Sequence, residues 1–328
     1  MRIEGDTLTF IGDLHLNSAT PRSRLDDYSQ TSLYKLEQIR DIAITKGYKH
    51  LVLLGDIFHK NQQPISYLNQ VLLAFKDWHR SGLKVYAIVG NHDISHERMD
   101  QLRKSALDTL FTSEFLTPLD RLDLHTSAGN QVTVKGFHYT QAIEPASVYE
   151  DLAETSICVA HRFYQYQHSD ASLSSEQVEK LGYTFYLLGH DHVPYDPVKV
   201  GSSYVVRPGS ITRGTSHQYN LDRGVQIVTL RFGGLLGDPK ISMVKDALKV
   251  KPAEEVFSSV VFGTREKQET MDSMTRKVEE LLEKMDQVSK GTSVYGVLDG
   301  LELDPKVKAR IQLYLEQAGV YRQEDPVA

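Results

Sequence analysis

The sequence predicts an α/β protein, a double-sheet β-sandwich flanked by helices and followed by a small C-terminal α+β cap. Three observations predict it. Short β-branched runs of strand length alternate with helical patterns. Those runs are apolar throughout rather than alternating, which marks strands covered on both faces. The character of the chain then changes near Val250.

The apolar runs are TLTFIG, HLVLLG, KVYAIVG, SICVAH and FYLLGH, each ending in Gly or His. Between the first two, Leu33, Leu36, Ile39 and Ile42 recur at three-residue steps and predict a helix capped by Gly47. Ile65, Leu68, Leu72, Phe75 and Trp78 predict a second helix, closed by Gly82, with Trp78 as a core residue. NQVTVKGFHY, SYVVRPG and GVQIVTLRF are further strand candidates, so the sheet system is mixed and double. After Val250, VFSSVVF is a strand candidate. A charged helix follows, with Met271, Met274, Val278, Leu281, Met285 and Val288 on one apolar stripe. That stripe suits packing within a small domain, with a partner groove as the alternative. A second amphipathic helix follows Pro305, carrying Val307, Ile311 and Leu315. The expected domains are residues 1–250 and 251–328.

At 328 residues, 40% hydrophobic and 24% charged, the chain has an ordinary globular composition. No apolar run approaches the roughly 18 residues of a membrane span. The start, MRIEGDTLTF, lacks the pattern of a signal peptide. The single cysteine, Cys158, rules out an intrachain disulfide and fits a reducing cytoplasm, bacterial or phage-infected. A formal net charge of −6 argues against a broad non-specific DNA surface. It leaves room for a local cationic site, because metals and clustered cations act at short range.

Polar residues appear at the ends of the apolar runs. Asp13 and His15 follow the first, Asp56 the second, and Asn91 and His92 the third. His161 ends the fourth, and His190 and His192 end the fifth. Carboxyl ends of strands are where crevices form in open α/β sheets. Asp13 and His15 are two residues apart, so in extended chain their side chains point the same way; His190 and His192 do likewise. Carboxylate, imidazole and amide oxygen without thiolate suit manganese, iron or zinc. Asp13, His15, Asp56, Asn91, His161, His190 and His192 exceed the needs of one ion but serve two that share a carboxylate. Two divalent ions, two aspartates and one hydroxide leave a net charge of about +1, which attracts a phosphodiester. Each piece alone would be an ordinary turn or hydrogen-bonded histidine.

Together and in order, GDLH, GDIFH, GNHD, AH and GHDH resemble the calcineurin-like metallophosphoesterase superfamily, over about Thr7–Ser210. The resemblance implies two metals at the sheet edge. Asp13, His15, Asp56 and His192 would hold one, and Asp56, Asn91, His161 and His190 the other. A hydroxide between the ions would attack phosphorus in line. His92, left over as a non-ligand, is the candidate general acid for the leaving sugar oxygen. Asp93 is a candidate to orient His92, and His59 to face substrate. Asp191 is expected to point away, and His96, His138, His168 and His217 to be structural or solvated.

Within the superfamily, GDIFHKNQQPIS and PGSITRGTS resemble the SbcD-type DNA repair nucleases, as does the size and make-up of the region after Val250. That resemblance implies manganese-dependent exonuclease action on DNA ends and endonuclease action on single strands. It also implies a homodimer and an SbcC-like ATPase partner of the SMC type that binds C-terminal helices. The chain departs from the pattern in having space for one helix after the cap, around Pro305–Gln317. Residues 64–80 and 97–111 are the candidate dimer surface. Lys60, Arg98, Arg103, Arg162, Arg207 and Arg213 are candidate phosphate contacts. Two alternatives stand beside this reading. One is a cyclic-nucleotide or small phosphodiester hydrolase, which the acidic balance favours. The other is a non-catalytic DNA-end or partner-binding scaffold, against which the full ligand set with His92 argues.

Overall fold

Strands and helices alternate through the first half of the chain. A computed structural model describes residues 1–149, 151, 153, 155–165, 172–216, 218–236 and 238–258. After β1 (Arg2–Glu4) and β2 (Thr7–Ile11), α1 (Tyr28–Lys46) leads to β3 (His50–Leu53), and α2 (Ile65–Arg80) to β4 (Lys84–Ala87). The short α3 (Ala106–Thr112) precedes β5 (Thr117–Pro118), β6 (Arg121–His125), β7 (Gln131–Phe137) and β8 (Thr155–His161). Then come β9 (Phe163–Tyr164), β10 (Ser172–Leu173), α4 (Ser175–Leu181), β11 (Phe185–Gly189), β12 (Val198–Val200) and β13 (Ser203–Val206). The described chain ends with α5 (Gln218–Asp222), β14 (Val225–Leu235), β15 (Asp238–Leu248) and α6 (Ala253–Val256).

Both long helices form for local reasons visible in their ends. The Asp27 carboxylate accepts the Gln30 N–H at the start of α1. Gly47, at φ 71°, closes it by returning its N–H to the Ala43 and Ile44 carbonyls. Leu36 and Ile39 are buried, and Leu33 and Ile42 flank them. On α2, Val71, Phe75 and Trp78 are buried. The Trp78 indole N–H donates to the Leu36 carbonyl at 3.2 Å, which ties α2 to α1. Trp78→Ala is therefore expected to lower unfolding stability by roughly 3–5 kcal/mol, from cavity and lost hydrogen bond together. Urea denaturation would measure it, and a change of a few tenths would remove Trp78 from the core.

One sheet has the order β15-β14-β2-β3-β4-β5, with β2, β3 and β4 parallel; the other has β1-β6-β7-β8-β11-β13-β12. Side chains alternate across each strand. Phe10, Val52 and Tyr86 from the first sheet meet Val134, Ile157 and Leu187 from the second in a core between the sheets. The opposite faces are covered too. Leu51 and Leu53 pack under α1 and α2, while Cys158, Tyr186 and Leu188 pack with Val178 of α4. This is the expected double-sheet sandwich with flanking helices, and it explains why β3, β8 and β11 are buried at every position. Cys158 is core, and burial pushes its thiol up in pKa.

Seven of the described strands escape the sequence reading: the short β1, β5, β6, β9, β10 and β12, and the long β15. β1 is only three residues long. β15 pairs along all of β14 but mixes charged, polar and apolar residues, so it lacks a continuous apolar run. Within the strand candidate VFSSVVF, Val256 ends α6 and Phe257 makes an isolated antiparallel bridge with Arg24. Residues 259–262 of that candidate, the methionine stripe and the helix after Pro305 lie outside the described residues. So does all but the first few residues of the expected 251–328 domain. Among the described residues no helix is long and apolar enough to cross a membrane.

Candidate metal centre

The polar residues leave neighbouring strands of both sheets at their carboxyl ends. Asp13 and His15 follow β2, Asp56 follows β3, and Asn91 and His92 follow β4 in the first sheet. In the second sheet His161 is the last residue of β8, and His190 and His192 follow its neighbour β11. Two groups that contain a carboxylate result, Asp13, His15 and His192, and Asp56, His161 and His190, beside an all-histidine group of His15, His59 and His92, each with its donor atoms within 4.8 Å of one another. His15 Nε2 stands 2.8 Å from His192 Nε2 and 3.7 Å from Asp56 Oδ2. His161 Nε2 stands 3.3 Å from that same Asp56 Oδ2, 3.1 Å from Asn91 Oδ1 and 3.1 Å from His190 Nδ1. Asp56 Oδ2 thus faces both groups, and Asn91 joins the second. All seven expected ligands come together.

The backbone is bent to achieve this. His15, Asp56 and His190 have φ of 46°, 47° and 82°, a left-handed region that residues with side chains rarely adopt. Several hydrogen bonds hold the bends. The Asp56 carbonyl accepts from Leu14 N and His15 N, and the His15 carbonyl accepts from the Tyr28 hydroxyl at 3.1 Å. The Asp13 carbonyl accepts from Ser210 Oγ and Ile211 N, so the PGSIT segment clamps the first ligand loop. Gly90 is glycine for space, since a Cβ there would lie 2.2 Å from Asp56 Oδ1.

Asp93 does not orient His92. Its buried carboxylate accepts from Phe58 N at 3.0 Å and Gly90 N at 2.9 Å, joining the loop after β3 to the loop after β4. Burial, reinforced by the Asp56 charge, pushes it up to about 7. His92 is set instead by its Nδ1–H, which donates to the His59 carbonyl at 2.8 Å, and by its backbone N–H on Asp56 Oδ1 at 2.9 Å. That leaves Nε2 to exchange a proton. The exposed His59 ring stacks on His92 with centroids 5.2 Å apart. Nothing local in the sequence announces the His59 carbonyl or the Asp93 clamp.

Asp191 points away, as expected, to Arg207 at 3.2 Å. Most of the cations proposed to meet phosphates are engaged within the protein. Arg213 is buried and donates to the Asn220 and Leu221 carbonyls, and Arg162 donates to those of His161 and Gln141. Arg98 pairs with Asp100, while Lys60 and Arg103 are exposed. His138 is structural, accepting from Val89 N at 3.0 Å.

Electrostatics and satisfaction both fit divalent cations. Burial depresses His190 to about 3, His192 to about 4 and His15 well below its ordinary range, so all three are neutral donors. Burial lifts Asp13 to about 7 against the pull of His161, with Asp56 adding to the rise. Burial alone would lower His161, but Asp56 more than offsets it and raises it to about 9. Burial alone would raise Asp56, but His161 and then His15 hold it far below the carboxylate range. Asp56 Oδ2 nevertheless has no aligned hydrogen-bond donor though fully buried, and neither has His15 Nδ1 a partner. A buried anionic oxygen without a donor, among neutral imidazoles, suits a metal ligand.

Metal binding must displace the protons held by His161 up to about pH 9 and by Asp13 up to about pH 7. Affinity for manganese is therefore expected to weaken as pH falls through each value, with proton release on binding. Calorimetry in buffers of different ionisation heat would show it. An affinity unchanged between about pH 7 and pH 9 would contradict it.

The profile of the calcineurin-like phosphoesterase family matches residues 7–194, and the chain belongs to that family. It is thereby a metal-dependent hydrolase of a family that uses a dimetal centre, and the groups above are its candidate ligands. Among characterised proteins it is similar to the DNA double-strand break repair protein Mre11 of Methanocaldococcus jannaschii, 24% identical over 148 residues. That alignment spans 42% of this chain and 38% of the relative, so the chain covers well under half of it. Two solved structures also resemble it. One, from Thermus thermophilus, is 13% identical with a TM-score of 0.42, over 72% of this chain and 98% of the other. The second, a dimetal phosphatase from Danio rerio, is 12% identical with a TM-score of 0.46, over 77% of this chain and 98% of the other.

Proposed function

We propose that this chain is a two-metal DNA nuclease, the nuclease subunit of an SbcCD-like repair and recombination complex. It would act as an exonuclease on duplex ends and an endonuclease on single strands. The observation that carries the chemistry is Asp56 Oδ2, buried without a donor between two His and Asp groups, with His92 beside it. DNA as substrate is supported by the GDIFHKNQQPIS and PGSITRGTS segments and by the likeness to a DNA double-strand break repair protein.

Asp13, His15, Asp56 and His192 would hold one ion and Asp56, Asn91, His161 and His190 the other, with manganese favoured by the donor set. When bound, the two ions supply Lewis-acid neutralisation of phosphoryl charge and activation of water. The chain's own groups do the rest. Gly90 lets the backbone pass close to Asp56, and the His15 and Asp56 bends aim the donors inward. His92 keeps Nδ1–H on the His59 carbonyl, so a proton carried on Nε2 can pass to the leaving sugar oxygen. We further propose a cytoplasmic homodimer formed through residues 64–80 and 97–111, and an SMC-type ATPase partner.

The test is digestion of an end-labelled duplex and a single-stranded circle in manganese and in magnesium, with and without an SMC-type ATPase. Manganese-dependent cleavage is expected. Rapid hydrolysis of small phosphodiesters with DNA left intact in every condition would assign the chain to small-ester hydrolysis instead.

A further inference from the structure

A second charged site lies away from the metal ligands, where the start of α1 meets the segment after Ser210 and the end of β15. A cavity of about 150 Å³ opens to the surface there, bordered by Arg24, Lys35, Arg213, Lys249 and Lys251, with Asp26 as the one carboxylate among its lining residues. Five cations against one anion leave four positive charges in excess, on a chain whose net charge is −6. Three of the cations are not solvated. Lys35 is 4% exposed, Arg213 6% and Arg24 8%.

Apart from the Arg24–Asp26 ion pair, the partners these cations bond are backbone carbonyls. Asp26 is engaged by Arg24, which holds it through Nε and Nη2 at 2.9 and 2.7 Å. The third nitrogen of Arg24 donates to the Arg213 carbonyl, and Arg213 donates to the carbonyls of Asn220, Leu221 and Lys251. Lys35 Nζ donates to the Lys249 carbonyl, its one acceptor among the described residues. Carbonyl dipoles satisfy donors but carry no net charge, and buried like charges repel strongly at these depths. Lys35 records the strain: burial, then Arg213, Arg24 and Arg223, depress it to about 8.

We propose that this cavity is an anion site for a phosphoryl group, held by Lys35 with Lys249 and Lys251 at the mouth, while Arg24 and Arg213, whose donors serve the protein's own groups, contribute charge from behind. The size limits the ligand. It holds several waters' worth of space at about 30 Å³ each, but falls below the roughly 300 Å³ where pockets for drug-sized molecules begin. A tetrahedral oxyanion or a terminal phosphomonoester fits, whereas a whole nucleoside does not. The site also touches the scaffold of the metal centre. Arg24 stacks on Tyr28 at 4.9 Å, and the Tyr28 hydroxyl holds the His15 carbonyl and the Thr212 hydroxyl.

The test does not depend on turnover, so it stands or falls apart from the nuclease reading. Inorganic phosphate is titrated into the full-length, metal-free protein and thermal unfolding is followed. A melting temperature that climbs with phosphate is expected, because a ligand of the native state stabilises by mass action. Lys35→Gln should weaken that phosphate affinity by roughly tenfold or more, the scale of one charged hydrogen bond. If Lys35→Gln does not fold, the exposed pair Lys249→Gln and Lys251→Gln together should still weaken it. A short oligonucleotide with and without a 5′-phosphate separates the sources. Stronger stabilisation by the phosphorylated strand assigns a DNA end, and stabilisation by inorganic phosphate alone assigns the free ion. No shift in the wild type, or a shift unchanged in both variants, overturns the site.

Discussion

Asp56→Asn is expected to lose manganese-dependent hydrolysis almost completely. The substitution keeps shape and removes charge at the one oxygen that faces both ligand groups, 3.7 Å from His15 Nε2 and 3.3 Å from His161 Nε2. Removing a preorganised charge-stabilising group lowers turnover by roughly 10²–10³-fold, and loss of a shared metal ligand should be at least as severe. The metal-free protein should respond as well. His161 is protonated up to about 9 because Asp56 stands beside it, so without that carboxylate burial takes over and its pKa drops. Breaking a buried ion pair costs about 3–5 kcal/mol when the remaining charge is kept. His161 can shed its proton, so the loss should be smaller than that at neutral pH and largest in acid. Histidine resonances followed by NMR against pH, together with manganese titration, would test both halves. Undiminished hydrolysis, or a His161 titration unmoved by the substitution, would remove Asp56 from the centre.

His92→Asn should separate chemistry from metal binding. His92 belongs to neither Asp-containing ligand group, and the contact it makes to Asp56 is through its backbone N–H, which asparagine retains. Manganese affinity should therefore be unchanged. Asparagine cannot deliver a proton, so cleavage of DNA should slow by roughly 10²–10⁴-fold. An ester with a nitrophenolate leaving group needs little protonation and should slow far less. Equal losses on both substrates would make His92 a structural residue rather than an acid.

The candidate site was legible in the chain because its ligands sit at strand ends, and strand ends are marked locally. An apolar run that stops at Gly or His can be read without knowing its neighbours, as at β2, β3, β4, β8 and β11. Helix faces were legible for the same reason, since Leu36, Ile39, Phe75 and Trp78 fall at helical spacing and are buried. Strands at the margins were not. β15 satisfies its backbone along β14 while mixing charged and polar side chains among the apolar ones, so no continuous apolar run gives it away.

Arginines were the hardest to place from the sequence. Arg213 and Arg162 look like surface cations beside catalytic motifs, yet both are spent on backbone carbonyls, including those of Asn220 and Gln141 in other segments. Asp93 sits next to His92 in the chain and serves Phe58 and Gly90 instead.

The sequence by itself determined the main apolar strands and the two long helices, the core residues they carry, and which donor types stand at the strand ends, because burial periodicity and local caps are short-range properties. Only the tertiary structure decided that Asp56 faces both groups, that the His59 carbonyl sets the His92 tautomer, and that five cations gather around one carboxylate. Those facts depend on strand order and on loops brought together from distant parts of the chain, and no local pattern encodes which distant backbone group a side chain will meet.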